Sequence, residues 1–330
     1  MNGERQVSES RLLIEVRDRD RGDARDRADL AAALRRRPRE IPSKLFYDER
    51  GSALFERITE LPEYYQTRTE RALLERVADR VVATSAAREL VEIGSGAATK
   101  TRVLLDALRR AGRLQLYVPF DVAEETLRRS AEELLEEYPG LAVHGIVGDF
   151  TAQLGRIPEG DRRLVVFLGG TIGNLGPDAV RHFLADVESA MAPGDHFLLG
   201  VDLIKDIARL EAAYNDAAGV TAEFNLNILA AVNRLTGADF NPQAFRHHAP
   251  YNRDRHRIEM WLLSTQAQTV HLPALDLELT LAEGEGLLTE ISTKFDRSRI
   301  ETLLTGSGLT PVGWYTDPEN LFGLSLSRKG

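Results

Sequence analysis

The chain has 330 residues and a net charge of −9 at pH 7, with 42 basic against 51 acidic side chains. At about 150 residues per domain this length predicts roughly two domains, and a hydrophobic fraction of 43% excludes disorder over the whole chain. The sequence contains no cysteine, which excludes disulfides, thiolate metal sites and cysteine nucleophiles, and no histidine spacing indicates a metal site.

The N-terminal segment is polar and charged. Residues 17–29 carry five Arg and five Asp, so we expect a solvated helix or frayed arm and no binding of nucleic acid. The first residues hold no apolar run, which predicts no secretory signal. Apolar runs such as 164–168 are too short to span a membrane. We therefore expect a cytoplasmic monomer with no membrane partner.

A loop and a helix follow this segment. Proline and adjacent aromatic residues at 61–65 indicate a loop. Thr67, with Glu70 three residues later, has the spacing of a capping box at the start of a helix. Apolar residues then recur at helical spacing up to residue 81.

Strands and helices alternate from residue 90 onward. The predicted strands are 90–93, 114–120, 142–147, 164–168 and 196–201, and the predicted helices are 100–110, 124–137 and 178–191. This alternation, with nearly continuous apolar strands, predicts an α/β fold with a Rossmann-like parallel sheet buried on both faces.

The alternation stops at residue 203, where two helical stretches precede short alternating strands. We interpret residues 203–290 as an insertion that joins residues 1–60 in a second, α+β lobe. Residues 61–202 then form the main domain, and a helix and two strands in 291–330 complete its sheet.

Three successive predicted strands end in residues suited to a nucleoside ligand. Gly94 and Gly96 follow the first strand, Asp121 ends the second, and Asp149 with Phe150 follows the third. Ligands of open α/β sheets bind at this carboxyl edge. An acid there can bind ribose hydroxyls, and Asp149 with Phe150 can bind and stack on adenine. Because a third glycine is absent, this order favours S-adenosylmethionine over NAD.

Five segments together resemble one enzyme family. They are LFYD at 45–48, LPEYY at 61–65, LVEIGSG at 90–96, TIGN at 171–174 and LLTEIS at 287–292. They resemble the L-histidine Nα-methyltransferases of ergothioneine biosynthesis, which are class I methyltransferases that add three methyl groups to the α-amine of histidine. The resemblance extends from about residue 30 to the C-terminus and implies this reaction, with S-adenosylmethionine as co-substrate and no metal.

The resemblance also implies two sets of site residues. The residues expected to bind S-adenosylmethionine are Gly94, Lys100, Asp121, Asp149 and Phe150. The residues expected around histidine are Phe55, Tyr64, Gly169, Asn174, Tyr214, Met260, Glu290 and Ser292. Tyr47 and Asn174 are the expected catalytic residues, with Tyr47 bonded to the amine through water and Asn174 orienting its lone pair.

The chemistry of several of these side chains fits the implied roles. Glu290 and Ser292 stand two apart, so on a strand they share a face and reach one imidazole. Asn174 and Tyr214 can donate to a carboxylate. Phe55 offers a ring face to a methylated ammonium, and Met260 would line the imidazole pocket.

Structural roles alone also explain some of these residues. Tyr64 could be half of a packed aromatic pair, Asn174 could cap a helix, and Glu290 could be a surface acid. Three other functions stay open from the residues: methylation of another amino acid such as tryptophan, NAD-dependent oxidoreduction, and binding of S-adenosylmethionine without chemistry.

Overall fold

The computed structural model describes residues 11–16 and 19–330. The strands are, in chain order, β1 Leu12–Val16, β2 Arg39–Glu40, β3 Glu89–Ile93, β4 Leu116–Asp121, β5 Ala142–Val147, β6 Arg163–Phe167, β7 His196–Asp202, β8 Phe245–His248, β9 Tyr251–Asn252, β10 Arg257–Ser264, β11 Gln268–Leu272, β12 Leu277–Leu281, β13 Gly286–Thr293, β14 Leu309–Thr316 and β15 Phe322–Lys329. The helices are α1 Arg19–Leu34, α2 Glu49–Glu60, α3 Gln66–Ser85, α4 Thr101–Arg110, α5 Glu124–Glu137, α6 Phe150–Gln153, α7 Pro177–Ala190, α8 Ile207–Ala212, α9 Val220–Thr236 and α10 Arg297–Gly306.

Two predictions for the N-terminal segment concern residues outside this description. The prediction of no secretory signal depends on residues 1–10, and the charged segment includes residues 17 and 18. From residue 19 that segment is the helix α1. In the part of the chain that is described, no helix combines the length and apolarity needed to cross a membrane.

The larger sheet has, within the described residues, eight strands in the order β1-β5-β4-β3-β6-β7-β15-β14. The neighbours from β1 to β7 are parallel, and β15 runs antiparallel to β7 and β14. Apart from β1, this is the strand order of a class I methyltransferase, so the predicted fold is confirmed. From β3 the chain adds strands first toward β5 and then toward β7, which places the switch point between β3 and β6.

The strand and helix pattern predicted for residues 90–201 is also confirmed, with bounds that differ by two residues or fewer. It was readable because these strands are buried on both faces, and every residue of β6 and β7 is buried. Apolar side chains of α3, α4 and α5 pack on one face of the sheet, and those of α7 and α10 pack on the other.

A separate hydrophobic core unites the N-terminal segment with the residues inserted after β7. Leu34 and Phe46 from the first segment meet Ile228, Leu262 and Leu287 from the second, all fully buried. The sheet of this lobe has the order β2-β13-β10-β8, with β9 beside β10, and β11 and β12 form a hairpin. The lobe thus combines helices and strands from two distant parts of the chain.

Two details of the predicted division are wrong. β1, which was assigned to the lobe, pairs in parallel with β5 of the main sheet, with Leu12 opposite Val143. It escaped recognition because it is an edge strand, with Leu13 51% exposed, and lacks the pattern of a buried strand. The boundary between 290 and 291 falls inside β13, which continues to Thr293.

The capping box predicted at Thr67 and Glu70 is wrong as well. α3 begins at Gln66, and no side chain caps its N-terminus. Glu70 is fully buried, and its two carboxylate oxygens accept the backbone N–H of Gly169 at 2.8 and 2.9 Å. The spacing misled because α3 begins one residue before Thr67, which places Glu70 beyond the first turn and leaves its carboxylate free for a distant partner.

Candidate functional site

A glycine turn follows β3 at the switch point. Gly94 and Gly96 have φ angles of 72° and 49°, a left-handed conformation that glycine adopts without strain. The N–H of Gly96 donates to Asp121 Oδ2 at 2.8 Å, and the N–H of Ala123 donates to Oδ1 at 2.9 Å. The end of β4 therefore holds the Asp121 carboxylate against an open turn.

Glu92, in the same sequence motif, supports the turn from beneath. Its carboxylate is buried and accepts hydrogen bonds from Thr101 Oγ1 and the hydroxyl of Tyr117. Burial raises the pKa of Glu92 to about 7, although the two hydrogen bonds oppose this change. These contacts fasten the start of α4 below the glycine turn.

Asp149 and Phe150 lie at the end of β5, the strand next to β4. The ring of Phe150 packs edge-on against Phe167 and Phe183, with centroids 5.5 and 6.1 Å apart. An Asp149 oxygen lies 3.8 Å from the ammonium of Lys44, which the lobe contributes. Carboxylates and an aromatic ring thus occupy the edge where a nucleoside was expected.

A partly buried ion pair lies at the switch point. Lys100, after the glycine turn, pairs with Glu70 of α3, which in turn binds Gly169 after β6. A side chain at Gly169 would lie 3.5 Å from the Lys100 ammonium, and one at Gly200 would lie 2.2 Å from Glu70 Oε1. The absence of a side chain at Gly200 leaves the space that Glu70 occupies, whereas the distance at Gly169 is an ordinary van der Waals contact. Glu70 was not among the predicted site residues.

A cavity adjoins Gly169, between the sheet edge and the lobe. It encloses about 600 Å³ including the open solvent at its mouth, a size that suits small molecules. It is lined by all the residues predicted to surround the substrate or to act on it, namely Tyr47, Phe55, Tyr64, Gly169, Asn174, Tyr214, Met260, Glu290 and Ser292. The rest of the predicted set is not in this lining and lies at or just after the ends of β3, β4 and β5.

Glu290 projects into this cavity from β13, opposite Met260 of β10. Asn174 Nδ2 donates to Glu290 Oε2 at 3.3 Å. Burial raises the pKa of Glu290 to about 7, and the positive charge of Lys294 partly offsets this rise. A carboxylate has about four acceptor positions, so Glu290 retains the capacity to accept hydrogen bonds from a ligand.

Gly173 brings Asn174 to Glu290. Gly173 and Asn174 belong to the 3₁₀ turn Thr171–Asn174, and this turn packs on β13, the strand that carries Glu290. A side chain at position 173 would lie 2.6 Å from the carbonyl oxygen of Thr293. Only glycine allows the turn to approach the strand so closely, which explains the glycine of the TIGN segment.

A hydrogen-bonded network that includes Tyr214, Ser292 and Asp202 forms part of the cavity wall. The Tyr214 hydroxyl donates to Ser292 Oγ at 2.7 Å, and Lys294 Nζ donates to Ser292 Oγ at 2.8 Å and to the Tyr214 hydroxyl at 3.1 Å. Lys294 also pairs with Asp202 at 2.8 Å. Burial by itself would raise the pKa of Asp202, but Lys294 and Lys205 outweigh it and hold that pKa below its usual value.

The adjacent tyrosines at 64 and 65 have different surroundings. Tyr64 lines the cavity, whereas the Tyr65 hydroxyl lies 2.8 and 2.9 Å from the two oxygens of Asp202 and accepts from Lys205 Nζ at 2.7 Å. Sequence reasoning missed Asp202, Lys205 and Lys294. Asp202 and Lys205 are only three residues apart, but Lys294 is distant in sequence and joins them only where β7 and β13 end together.

Aromatic rings form one wall of the cavity, and they belong to Tyr47, Phe55, Tyr64 and Phe224. The Phe55 ring lies 5.8 Å from Tyr47, 6.2 Å from Tyr64 and 6.0 Å from Phe224, centroid to centroid. Such a wall presents several ring faces and edges to a ligand.

Tyr47 stands at the mouth of the cavity, where it is 39% exposed. Burial of its hydroxyl, together with the negative charges of Glu290 and Asp121, raises the pKa of Tyr47 above its ordinary value. The hydroxyl therefore stays protonated at neutral pH and can donate a hydrogen bond.

A family model of histidine-specific, S-adenosylmethionine-dependent methyltransferases matches residues 26–329. The chain belongs to this family.

Relatives of the methyltransferase share most of its length. It is 50% identical over 301 residues to the histidine N-alpha-methyltransferase of Mycolicibacterium smegmatis, covering 91% of this chain and 94% of that protein. It is 47% identical over 310 residues to the protein of that name from Mycobacterium tuberculosis, covering 94% and 97%. Ergothioneine biosynthesis protein 1 of Neurospora crassa is 32% identical over 304 residues, which cover 88% of this chain and 33% of that protein.

Membership of this methyltransferase family decides between the two nucleoside ligands that the sequence left open. The glycine turn without a third glycine belongs to a protein that uses S-adenosylmethionine, not to an NAD-dependent oxidoreductase.

We expect Gly173→Ala to destabilise the methyltransferase, because the added methyl group would meet backbone atoms that have little room to move. The expected loss is about 1–3 kcal/mol in the free energy of unfolding, measured by urea denaturation. Gly306→Ala is the control, since a side chain there meets nothing within 4 Å. Equal stability of the two variants would contradict the close packing at Gly173.

We expect Glu290→Gln to stabilise the ligand-free methyltransferase at pH 8 and to have little effect near pH 4. The raised pKa of about 7 means that the folded state binds the proton more tightly than the unfolded state, for which 4.5 is the ordinary value. Ionisation therefore lowers stability as pH rises through this window, by about 1–3 kcal/mol. Urea denaturation across the pH range measures the difference, and a gain independent of pH would contradict it.

Proposed function

We propose that this methyltransferase transfers three methyl groups to the α-amine of L-histidine and forms hercynine, the trimethylated histidine of ergothioneine biosynthesis. One observation supports histidine as the substrate: Glu290, Ser292 and Asn174 converge in a single cavity beside the Gly169 turn. A carboxylate next to a hydroxyl suits the two ring nitrogens of an imidazole. The names of the bacterial relatives support the same substrate.

The residues along the sheet edge are suited to hold the methyl donor. Asp121 is oriented toward the open glycine turn by two backbone N–H groups, and its remaining lone pairs fit ribose hydroxyls. Asp149 and Phe150 fit an adenine amino group and ring. Lys100, near Gly169, is a cation beside the point where this edge meets the cavity.

S-adenosylmethionine supplies an electrophilic methyl group, so the protein's contribution to the transfer is chiefly alignment. In the proposed arrangement Asn174 and Tyr214 bind the carboxylate of histidine, with the Tyr214 hydroxyl donating to the carboxylate in place of Ser292. Asn174 also orients the amine. Tyr47 keeps its proton at neutral pH and holds a water molecule near the amine. The proton released on methylation passes through that water to solvent at the mouth, where Tyr47 is 39% exposed.

Repeated methylation explains why the substrate is held by its two ends. Each transfer removes an N–H from the amine, so hydrogen bonds to the amine weaken while those to the imidazole and the carboxylate persist. Glu290 and Ser292 serve one end, and Asn174 and Tyr214 serve the other. The aromatic wall accommodates the growing ammonium group, with cation–π contacts of about 0.5–2 kcal/mol.

Glu290 also distinguishes histidine from tryptophan. The single indole N–H would leave the buried carboxylate of Glu290 and the hydroxyl of Ser292 partly unpaired, and an unpaired buried group is unfavourable by about 1–3 kcal/mol. Histidine has a polar nitrogen on each side of its ring and satisfies both.

A mixture of S-adenosylmethionine and the twenty amino acids, analysed by mass spectrometry, tests the reaction. We expect trimethylated histidine as the main product, with mono- and dimethylated forms before completion. Trimethylated tryptophan would assign a different substrate. Binding of the donor without any methylated product would indicate a binding protein.

Replacement of Glu290 tests the imidazole contact. We expect Glu290→Ala to raise the KM for histidine about 10- to 100-fold, since a hydrogen bond to a charged group contributes about 1.5–3 kcal/mol, and to change the affinity for S-adenosylhomocysteine little. Glu290→Gln keeps an acceptor and should raise the KM less. An unchanged KM in Glu290→Ala would refute the assignment.

A further inference from the structure

Gln66 is the first residue of α3 and lines the cavity. Its side chain is 3% exposed. Within residues 11–16 and 19–330, neither Oε1 nor Nε2 of this amide has a hydrogen-bond partner. Most buried polar groups are paired, and an unpaired amide is unfavourable in a protein interior. Its place on a cavity wall indicates a ligand as the missing partner.

The surroundings of Gln66 narrow the chemistry of that ligand. One turn further along the same face of α3, Glu70 binds Gly169 and pairs with Lys100. The N-terminus of α3 has no side-chain cap, so its first N–H groups and its partial positive charge lie at Gln66. Asp202 lines the same cavity, but Lys205 and Lys294 compensate its charge. An anionic ligand group therefore suits the N-terminus of α3, and the amide oxygen of Gln66 can accept a hydrogen bond from a cationic group beside it.

We propose that Gln66 binds the ammonium and carboxylate end of an α-amino acid. The amide offers one acceptor and two N–H donors. Oε1 accepts from the ammonium, and Nε2 donates to the carboxylate, which also lies near the positive end of α3. This inference rests on the proposed function, because the two ligands with such an end are L-histidine and the methionyl part of the methyl donor.

Gln66→Leu removes both hydrogen-bonding groups and preserves much of the side-chain volume. Calorimetric titration with S-adenosylhomocysteine and with 5′-methylthioadenosine tests the donor, because the second compound lacks the amino-acid end. Titration of the S-adenosylhomocysteine complex with L-histidine and with 4-methylimidazole tests the substrate in the same way. Gln66→Met is a second variant with a flexible apolar side chain, and Gln243→Leu, at an exposed position outside the cavity, is the control.

We expect Gln66→Leu and Gln66→Met to weaken binding of one amino-acid ligand about tenfold, as the loss of one or two hydrogen bonds predicts. The matching truncated compound should bind as it does to the wild type. A loss confined to S-adenosylhomocysteine assigns Gln66 to the donor, and a loss confined to L-histidine assigns it to the substrate.

Unchanged affinities for both amino-acid ligands, with a higher Tm in Gln66→Leu, would overturn the proposal and leave Gln66 as an unpaired buried amide. Equal losses for complete and truncated ligands would also overturn it, because they would indicate a disturbed cavity. A wild-type chain that binds no S-adenosylhomocysteine would refute the proposed function instead.

Discussion

The buried ion pair between Asp202 and Lys294 holds the two parts of the molecule in one arrangement. Asp202 ends β7 of the main sheet, and Lys294 follows β13 of the lobe, with their charged atoms 2.8 Å apart. Leu203 and Phe295, the next residues, form a parallel bridge. Because removal of one partner from a buried pair is strongly unfavourable, the ends of these strands cannot separate at little cost, and the cavity between them keeps its shape.

The two buried carboxylates near the cavity have opposite electrostatic surroundings. Asp202 is bound by Lys294, Lys205 and Tyr65, and its pKa lies below the usual value. Glu290 is bound by Asn174 at 3.3 Å, and burial raises its pKa to about 7. Asp202 is saturated by the protein and serves the structure. The negative charge of Glu290 is less fully compensated by neighbouring groups. This is unfavourable without a ligand, and it leaves the Glu290 carboxylate able to bind one.

Much of the main sheet was predictable because short stretches of sequence are enough to identify its strands. β3 to β7 are apolar, buried on both faces and separated by helices, so short windows of sequence identify them. The position of Glu290 and Ser292 on one face followed from the alternation of side chains along a strand. The edge strand β1 was missed because Leu13 is exposed and gives no such pattern.

The contacts that support the cavity could not be predicted from local sequence patterns. Glu70 looked like half of a capping box, and only the folded chain places its carboxylate on Gly169, 99 positions away. Asp202 and Lys294 are likewise brought together by topology, and sequence spacing carries no sign of their pairing. The roles of the cavity residues toward donor and substrate stay predictions.

The continuity of β13 with the bridge at Phe295 has a mechanical consequence. A single stretch of backbone leaves the sheet of the lobe and joins the end of the main sheet, with the Ile204 N–H donating to the Phe295 carbonyl at 2.9 Å. A hinge motion that separated the lobe from the main sheet here would have to break the hydrogen bond between Ile204 and Phe295. Small molecules therefore enter the cavity past Tyr47, which is 39% exposed, while the crossing at Phe295 keeps the two sheets joined.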